Sequence, residues 1–450
     1  MNVVFYPGPA AAREAGFRPC KRCRPELAPG HPEWDRRADV VGRAMRLIGE
    51  AGMGGSGVPG LAARLHVSER HLRRLFVDEL GAGPLQVATA RRLGLARLLV
   101  DQTDMPLTDV AFAAGFSSIR RFNAAMVEAF GAAPRDLRAA AYHLPSPGSA
   151  PARPCNRVQA ADLALASSTA APVDITVRLV ARQPYAHELL TTFLRRHPVP
   201  GVEHVDDSGT WHRAVPSGLV SVACGAAGLK VRIQANDVGA VASLIERVRR
   251  MFDVDADPEA VHEVLGVDDL LRPALRAHPG IRLPGTLDPF ATTIGIVLGQ
   301  QVSLAGAATL MGRLVQLCGE PVGGPAGPIT HRFPTAAAVA EADLSTMGLT
   351  GARRRAVQAV ASAVAGGVVD LDPGADREQT LAALGALAGI GPWTTALVAA
   401  RALGDPDALP ASDLILRRLT KLDARALTAR AERWRPWRSY ATFTLWSTIL

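Results

Sequence analysis

Apolar positions recur every three to four residues in two matching stretches near the start of the chain. The first is GLAARLHVSERHLRRLFVDELG, Gly60–Gly81; the second is TDVAFAAGFSSIRRFNAAMVEAFG, Thr108–Gly131. Each reads as a short apolar helix, a tight turn, a serine N-cap (Ser68, Ser118) and a second amphipathic helix. This is a helix-turn-helix layout used twice, whose second helix is shaped to enter a DNA major groove. Between the two units, Leu85–Val100 predicts a connecting helix. Further on, Asp174–Val180 and Leu229–Gln234 alternate with period two, which predicts half-buried antiparallel strands. From about Asp257 the pattern is almost wholly helical, broken by short Gly/Pro turns. Periodicity is lost over 144–172, where a run rich in Pro, Ser and Ala predicts a flexible or extended linker. A shorter break falls near Pro29–Pro32.

Length and charge sharpen this picture. At 450 residues the chain is too long for one core, and about two to four domains are expected. No apolar run is long enough to span a bilayer, and the N-terminus lacks the charged and apolar regions of a signal peptide. Five cysteines are too few for a disulfide scaffold, so a reduced, cytoplasmic chain is expected. The net charge is +8, and residues 1–143 carry 20 Arg and Lys against 14 Asp and Glu. The basic surplus therefore sits in the helix-turn-helix third, as a polyanion partner requires, although an arginine-rich solvated surface gives the same count.

Cys20 and Cys23 form a C-x-x-C flanked by arginines, one half of a tetrahedral zinc site. The surrounding VVFYPGPAAAREAGFRPCKRCRPE resembles the second half of the metal-binding methyl-acceptor domain of Ada-type alkylation-response regulators. In that family four cysteines hold zinc, and one takes a methyl group from DNA methylphosphotriesters as a thiolate. The resemblance implies that the first cysteine pair, with the acceptor, belongs upstream of Val3. Only Cys20 and Cys23 are carried over as metal ligands, the site is expected to be incomplete, and no methyl acceptor is expected.

The paired helical units, with the turn AAGFSS and the closing GAAPRDLR, resemble the AraC-type DNA-binding domain. That resemblance places Arg70, Arg73 and Arg74 on the first recognition helix and Arg120, Arg121 and Asn123 on the second. Arginine reads guanine bidentately and asparagine reads adenine; each could equally grip phosphate. Ala124 and Ala125 stand where many relatives place a basic contact, which implies weaker binding by the second helix.

Near the C-terminus, LAGIGPWTTA (Leu387–Ala396) offers Gly389 and Gly391 for a tight turn between helices, with Pro392 suited to the next first turn. By itself this is a helix–helix turn, with a helix N-terminus that attracts phosphate. About 20 residues later Asp413 precedes an apolar helix, where it reads as an N-cap and where a helix N-terminus stabilises negative charge. In this order the two elements resemble the helix-hairpin-helix and catalytic aspartate of base-excision DNA glycosylases, most closely the 3-methyladenine DNA glycosylase II type. LPGTLDPFATTIGIVLGQQVSLAGAA (Leu283–Ala308) and AERWRPWRSYATFTLW (Ala431–Trp446) extend the match over about 173–450.

The resemblance implies Asp413 as the catalytic residue and Trp393, Trp446 and Phe193 as walls of the base pocket. It implies DNA contacts from Gly389, Gly391 and Thr394, and from Gln300 and Gln301, which match the segment that fills the gap left by a flipped base. Trp393 stands where strand-cleaving relatives carry a Schiff-base lysine, so a monofunctional enzyme is expected. Two aromatic positions of the family pattern are Leu397 and Leu414, which implies a less aromatic pocket.

The expected fold class is mainly α and multidomain: an AraC-type double helix-turn-helix plus an α+β glycosylase with a small antiparallel sheet lobe and helix-hairpin-helix domains. The expected divisions are a truncated metal-binding segment (1–30), the DNA-binding domain (36–143), the linker (144–172), the α+β lobe (173–255) and the helix-hairpin-helix domain (256–450). No cofactor is expected for the glycosylase; zinc concerns only the N-terminal site. Alkylated and promoter double-stranded DNA and RNA polymerase are the expected partners of a monomer. Two alternatives stay open: a non-catalytic regulator whose C-terminal half binds damaged DNA, and a glycosylase with a vestigial regulatory half.

Overall fold

The computed structural model describes residues 4–6, 8–18, 40–51, 56–142, 172–323 and 327–450. Cys20, Cys23 and all but the last residue of the expected linker lie outside these. After a short helix α1 (Pro9–Glu14) come α2 (Val40–Ala51), α3 (Gly57–Arg64), α4 (Glu69–Leu80), α5 (Pro84–Gln102), α6 (Leu107–Ala113), α7 (Ile119–Phe130) and α8 (Pro134–Tyr142). The recognition helices α4 and α7 are built alike. Ser68 Oγ accepts from His71 N at 3.2 Å and Ser118 Oγ from Arg121 N at 3.3 Å, so both serines cap as the pattern predicts. Gly81 and Gly131 end the helices at φ 66° and 73°. Leu72, Phe76 and Leu80, and likewise Phe122, Met126 and Phe130, put one apolar residue per turn into the core. The opposite faces carry Arg70, Arg73, Arg74 and Arg120, Arg121, Asn123, all exposed.

The α+β lobe is a five-stranded antiparallel sheet: β1 (Val173–Val180), β2 (Glu203–Val205), β3 (Trp211–Val215), β4 (Gly218–Gly225) and β5 (Gly228–Ala235), in the order β1-β5-β4-β3-β2. The two segments with period-two alternation are direct neighbours, with Val177 opposite Val231. Helices α9 (His187–Arg196) and α10 (Ala240–Met251) pack on the sheet. Strand β1 is an edge, and the helix-turn-helix domain covers part of it. Gln102 at the end of α5 accepts from Arg178 N at 2.6 Å and donates to Arg178 O at 3.3 Å, so a side-chain amide stands in for a neighbouring strand.

The two halves also meet through α2, which lies against α10. Arg43 donates to Gly374 O at 2.9 Å and pairs with Asp376, Arg46 donates to Pro373 O, and Glu50 pairs with Arg247 and Arg250.

The helical remainder comprises α11 (Pro258–Leu265), α12 (Arg272–Ala277), α13 (Pro289–Leu298) and α14 (Leu304–Cys318), then a small hairpin of β6 (Glu320–Pro321) and β7 (His331–Arg332). It continues with α15 (Ala336–Glu341), α16 (Gly351–Ala365), α17 (Arg377–Gly385), α18 (Pro392–Arg401), α19 (Leu414–Thr420), α20 (Ala424–Ala431) and α21 (Arg438–Ser447). Ile294, Leu314, Val357, Leu384 and Val398 centre one core. The last helices turn away from it: Leu416, Leu427, Trp434 and Tyr440 are buried with the sheet lobe. The candidate site draws on α18 from the first core and on α19 and α21 from the second.

Candidate active site

Helices α17 and α18 are joined by a hairpin that only glycine can make at one point. Gly389 has φ 87°, and a Cβ there would meet the Ala356 Cβ of α16 at 3.0 Å. Gly391 is different: its backbone is extended, and a Cβ would meet nothing within 4 Å. Pro392 then opens α18 without wasting an N–H. One residue on, Trp393 donates from its indole Nε1 to Asp413 Oδ2 at 2.9 Å.

Asp413 is the N-cap of α19, its Oδ1 accepting from Leu416 N at 2.9 Å. Trp446 Nε1 also points at Oδ1, at 3.4 Å. Three N–H groups from three helices thus converge on one carboxylate that is only 8% exposed. The loop that delivers Asp413 is pinned to α21, the helix carrying Trp446. Ser439 Oγ accepts from Ala408 N at 3.0 Å and donates to Asp405 O at 2.6 Å, and Arg438 grips Asp407 bidentately at 2.8 and 3.0 Å. Leu397, on α18, is buried, and Leu414, next to Asp413 in the chain, is 77% exposed.

Phe193 sits apart from these three. Its ring is buried, stacked on His197 at 4.0 Å, edge-on to Phe443 at 5.4 Å and covered by the Arg401 guanidinium at 4.5 Å. Phe443 lies one turn of α21 before Trp446, so Phe193 packs on the helix that carries Trp446.

His197 Nδ1–H donates to Phe193 O at 2.8 Å. Burial pulls the His197 imidazole down to about 4; Arg401 and Arg196 push the same way, and the Phe193 carbonyl pushes back. The unfolded chain takes up a proton near pH 6.5 and the folded one does not, so stability falls as pH drops from about 6.5 to about 4. The loss is about 3 kcal/mol at most. His197→Phe keeps the stack, and the difference in urea midpoint between pH 7 and pH 4.5 is expected to shrink relative to the parent chain. An equal difference in both proteins rules out His197 as the source.

The remaining sequence candidates divide. Gln300 Nε2 donates to Gly389 O at 3.0 Å and to Thr394 Oγ1 at 2.9 Å, so its amide is spent inside the protein. Thr394 is buried, and its hydroxyl faces Gln300. Gln301 is exposed and left-handed, with φ 55°. The recognition-helix residues lie on α4 and α7 of the helix-turn-helix domain. Among the described residues no cluster of His, Cys, Asp or Glu is arranged to hold a metal ion. A cavity of about 730 Å³ lies elsewhere, between α2, the sheet lobe and the helical core, lined by Arg46, Arg213, Asp288, Arg377 and Arg401.

Known proteins resemble successive parts of the chain. Family models match for the metal-binding domain of Ada at residues 1–26, a helix-turn-helix domain at 61–140 and the AlkA N-terminal domain at 176–288. Among solved structures, the 3-methyladenine DNA-glycosylase from Archaeoglobus fulgidus superposes with a TM-score of 0.51 at 22% identity, over 60% of this chain and 96% of that one. The fold is therefore that of the helix-hairpin-helix DNA glycosylases, carried behind an AraC-type helix-turn-helix domain. DNA-3-methyladenine glycosylase 2 of Escherichia coli is 32% identical over 59% of this chain and 94% of its own length. The probable bifunctional transcriptional activator/DNA repair enzyme AlkA of Mycobacterium tuberculosis is 42% identical over 100% of this chain and 88% of its own length. This chain belongs to the family of AlkA-type bifunctional transcriptional activator/DNA repair enzymes.

Proposed function

We propose that the C-terminal half hydrolyses the N-glycosidic bond of alkylated purines in duplex DNA to leave an abasic site, and that residues 36–143 bind promoter DNA as a regulator of the alkylation response. The observation that carries the catalytic half is the carboxylate of Asp413 held by the Trp393 and Trp446 indoles and the first turn of α19.

An alkylated purine bears positive charge and leaves readily once extruded from the stack. The barrier lies in the sugar, which becomes an oxocarbenium-like cation as the bond breaks. A fixed carboxylate in a partly dry cleft stabilises that cation without reorganising. Asp413 has this role and orients the attacking water. The indole faces of Trp393 and Trp446 take the electron-poor base by cation–π stacking, worth about 0.5–2 kcal/mol. Leu397 and Leu414 narrow the aromatic surface and favour fewer lesion types. Gly391, with open space where a side chain would project, lets DNA backbone approach the N-terminus of α18.

In the N-terminal half, Arg70, Arg73, Arg74, Arg120, Arg121 and Asn123 project from the two recognition helices as phosphate or base contacts. RNA polymerase is the partner an activator requires, and a cytoplasmic monomer is the simplest form. Zinc belongs, if anywhere, with Cys20 and Cys23 inside the matched segment 1–26; two thiolates are half of a closed set, and methyl transfer is no part of the proposal. The test is single-turnover base release from methylated duplex DNA with borohydride present. Free base with no trapped protein–DNA adduct is expected, since Trp393 is not a Schiff-base nucleophile. No base release sinks the glycosylase reading, and an adduct sinks the monofunctional one.

A further inference from the structure

We infer that Gln300 is a positioning residue: it clamps the loop after α13 to the helix-hairpin-helix turn, and so fixes where Gln301 meets the DNA stack. The inference rests on the glycosylase reading above and adds to it a link between gap filling and the catalytic carboxylate.

A primary amide has two N–H hydrogens, and Gln300 uses them in two directions, toward Gly389 O at 3.0 Å and Thr394 Oγ1 at 2.9 Å. Its backbone carbonyl accepts from the Arg353 guanidinium of α16. The same helix supplies Ala356, the residue packed closest to Gly389. One residue therefore ties the loop to the hairpin and to the helix beneath it. Bonds of this kind explain the geometry next door. Gln301 is held left-handed at φ 55°, which costs a non-glycine residue about 1–2 kcal/mol and persists only when its neighbours are anchored. Beyond it Val302 on the loop and Leu304 at the start of α14 are exposed at 37% and 55%. The loop and the start of α14 thus present Gln301, Val302 and Leu304 outward beside an anchored Gln300.

The partner of the clamp matters. Gly389 and Thr394 bracket Trp393, whose N–H holds Asp413. A side chain entering the stack through this loop is consequently in register with the carboxylate that acts on the extruded nucleotide. Gln300 cannot itself enter the stack without breaking both bonds, so the gap is filled by its neighbours.

The full chain carrying Gln300→Leu tests this, with Thr394→Val as a second variant that keeps shape and deletes one bond. The probe is a duplex with 2-aminopurine beside a methylated purine, read by fluorescence, together with single-turnover excision from that duplex and from the same strand alone. Loss of one or two neutral hydrogen bonds is expected to lower the open-stack fluorescence and to cut the duplex-to-single-strand rate ratio by about tenfold. Only duplex DNA has a stack to hold open, so a general loss of folding would lower both rates together. Parent-like fluorescence and rate ratio in both variants overturn the clamp. Absence of base release by the parent chain instead overturns the glycosylase reading, while the fluorescence still reports on the clamp.

Discussion

Asp413→Asn is expected to reduce single-turnover base release from methylated duplex DNA by about 10²–10³-fold or more, with duplex affinity nearly unchanged. The fold should tolerate the change. Asparagine caps a helix about as well as aspartate, so the bond from Leu416 N survives through the amide oxygen. The amide nitrogen, however, must then face an indole N–H, because Trp393 and Trp446 donate to opposite carboxylate oxygens. Two donors point at each other, and the negative charge that balances the sugar cation is gone. A variant with unaltered excision would refute the catalytic assignment.

Trp393→Phe is expected to lower the same rate by about 10- to 100-fold, the value of one hydrogen bond to a charged group. Phenylalanine keeps a face for the base and deletes only the 2.9 Å bond to Oδ2. Trp393→Ala should lose that bond and the stacking face together. The two effects separate by substrate: Phe should slow release of a cationic methylated purine and a neutral deaminated purine equally, whereas Ala should slow the cationic one further by cation–π loss. If Phe matches the parent chain, the indole N–H has no part in holding Asp413.

Much of this architecture was legible in local pattern. The serine caps at Ser68 and Ser118, the apolar spacing of α4 and α7, and the neighbouring strands β1 and β5 are all short-range consequences of sequence. Asp413 was legible as an N-cap for the same reason. What local pattern does not carry is any partner chosen by tertiary packing. Strands β2 to β4 escaped because they are short or carry glycine and polar residues without clean alternation. The indole N–H bonds to Asp413 span 20 and 33 residues and depend on how α18 and α21 cross. Arg438 and Ser439 lay within a run whose family likeness was clear, yet their hold on the 405–408 loop is a contact, not a pattern. Thr394, expected from the resemblance to contact DNA, is buried and accepts from the amide of Gln300, 94 residues away, a partner no local pattern reveals.

Gln102 has a consequence for solubility. By occupying the backbone of Arg178 it blunts a sheet edge that would otherwise offer a ready template to another chain. A glycosylase half expressed alone would bare that edge, together with the arginines of α10 that Glu50 now neutralises. The regulatory half thus shields part of an exposed edge and offsets part of the positive charge on the repair half.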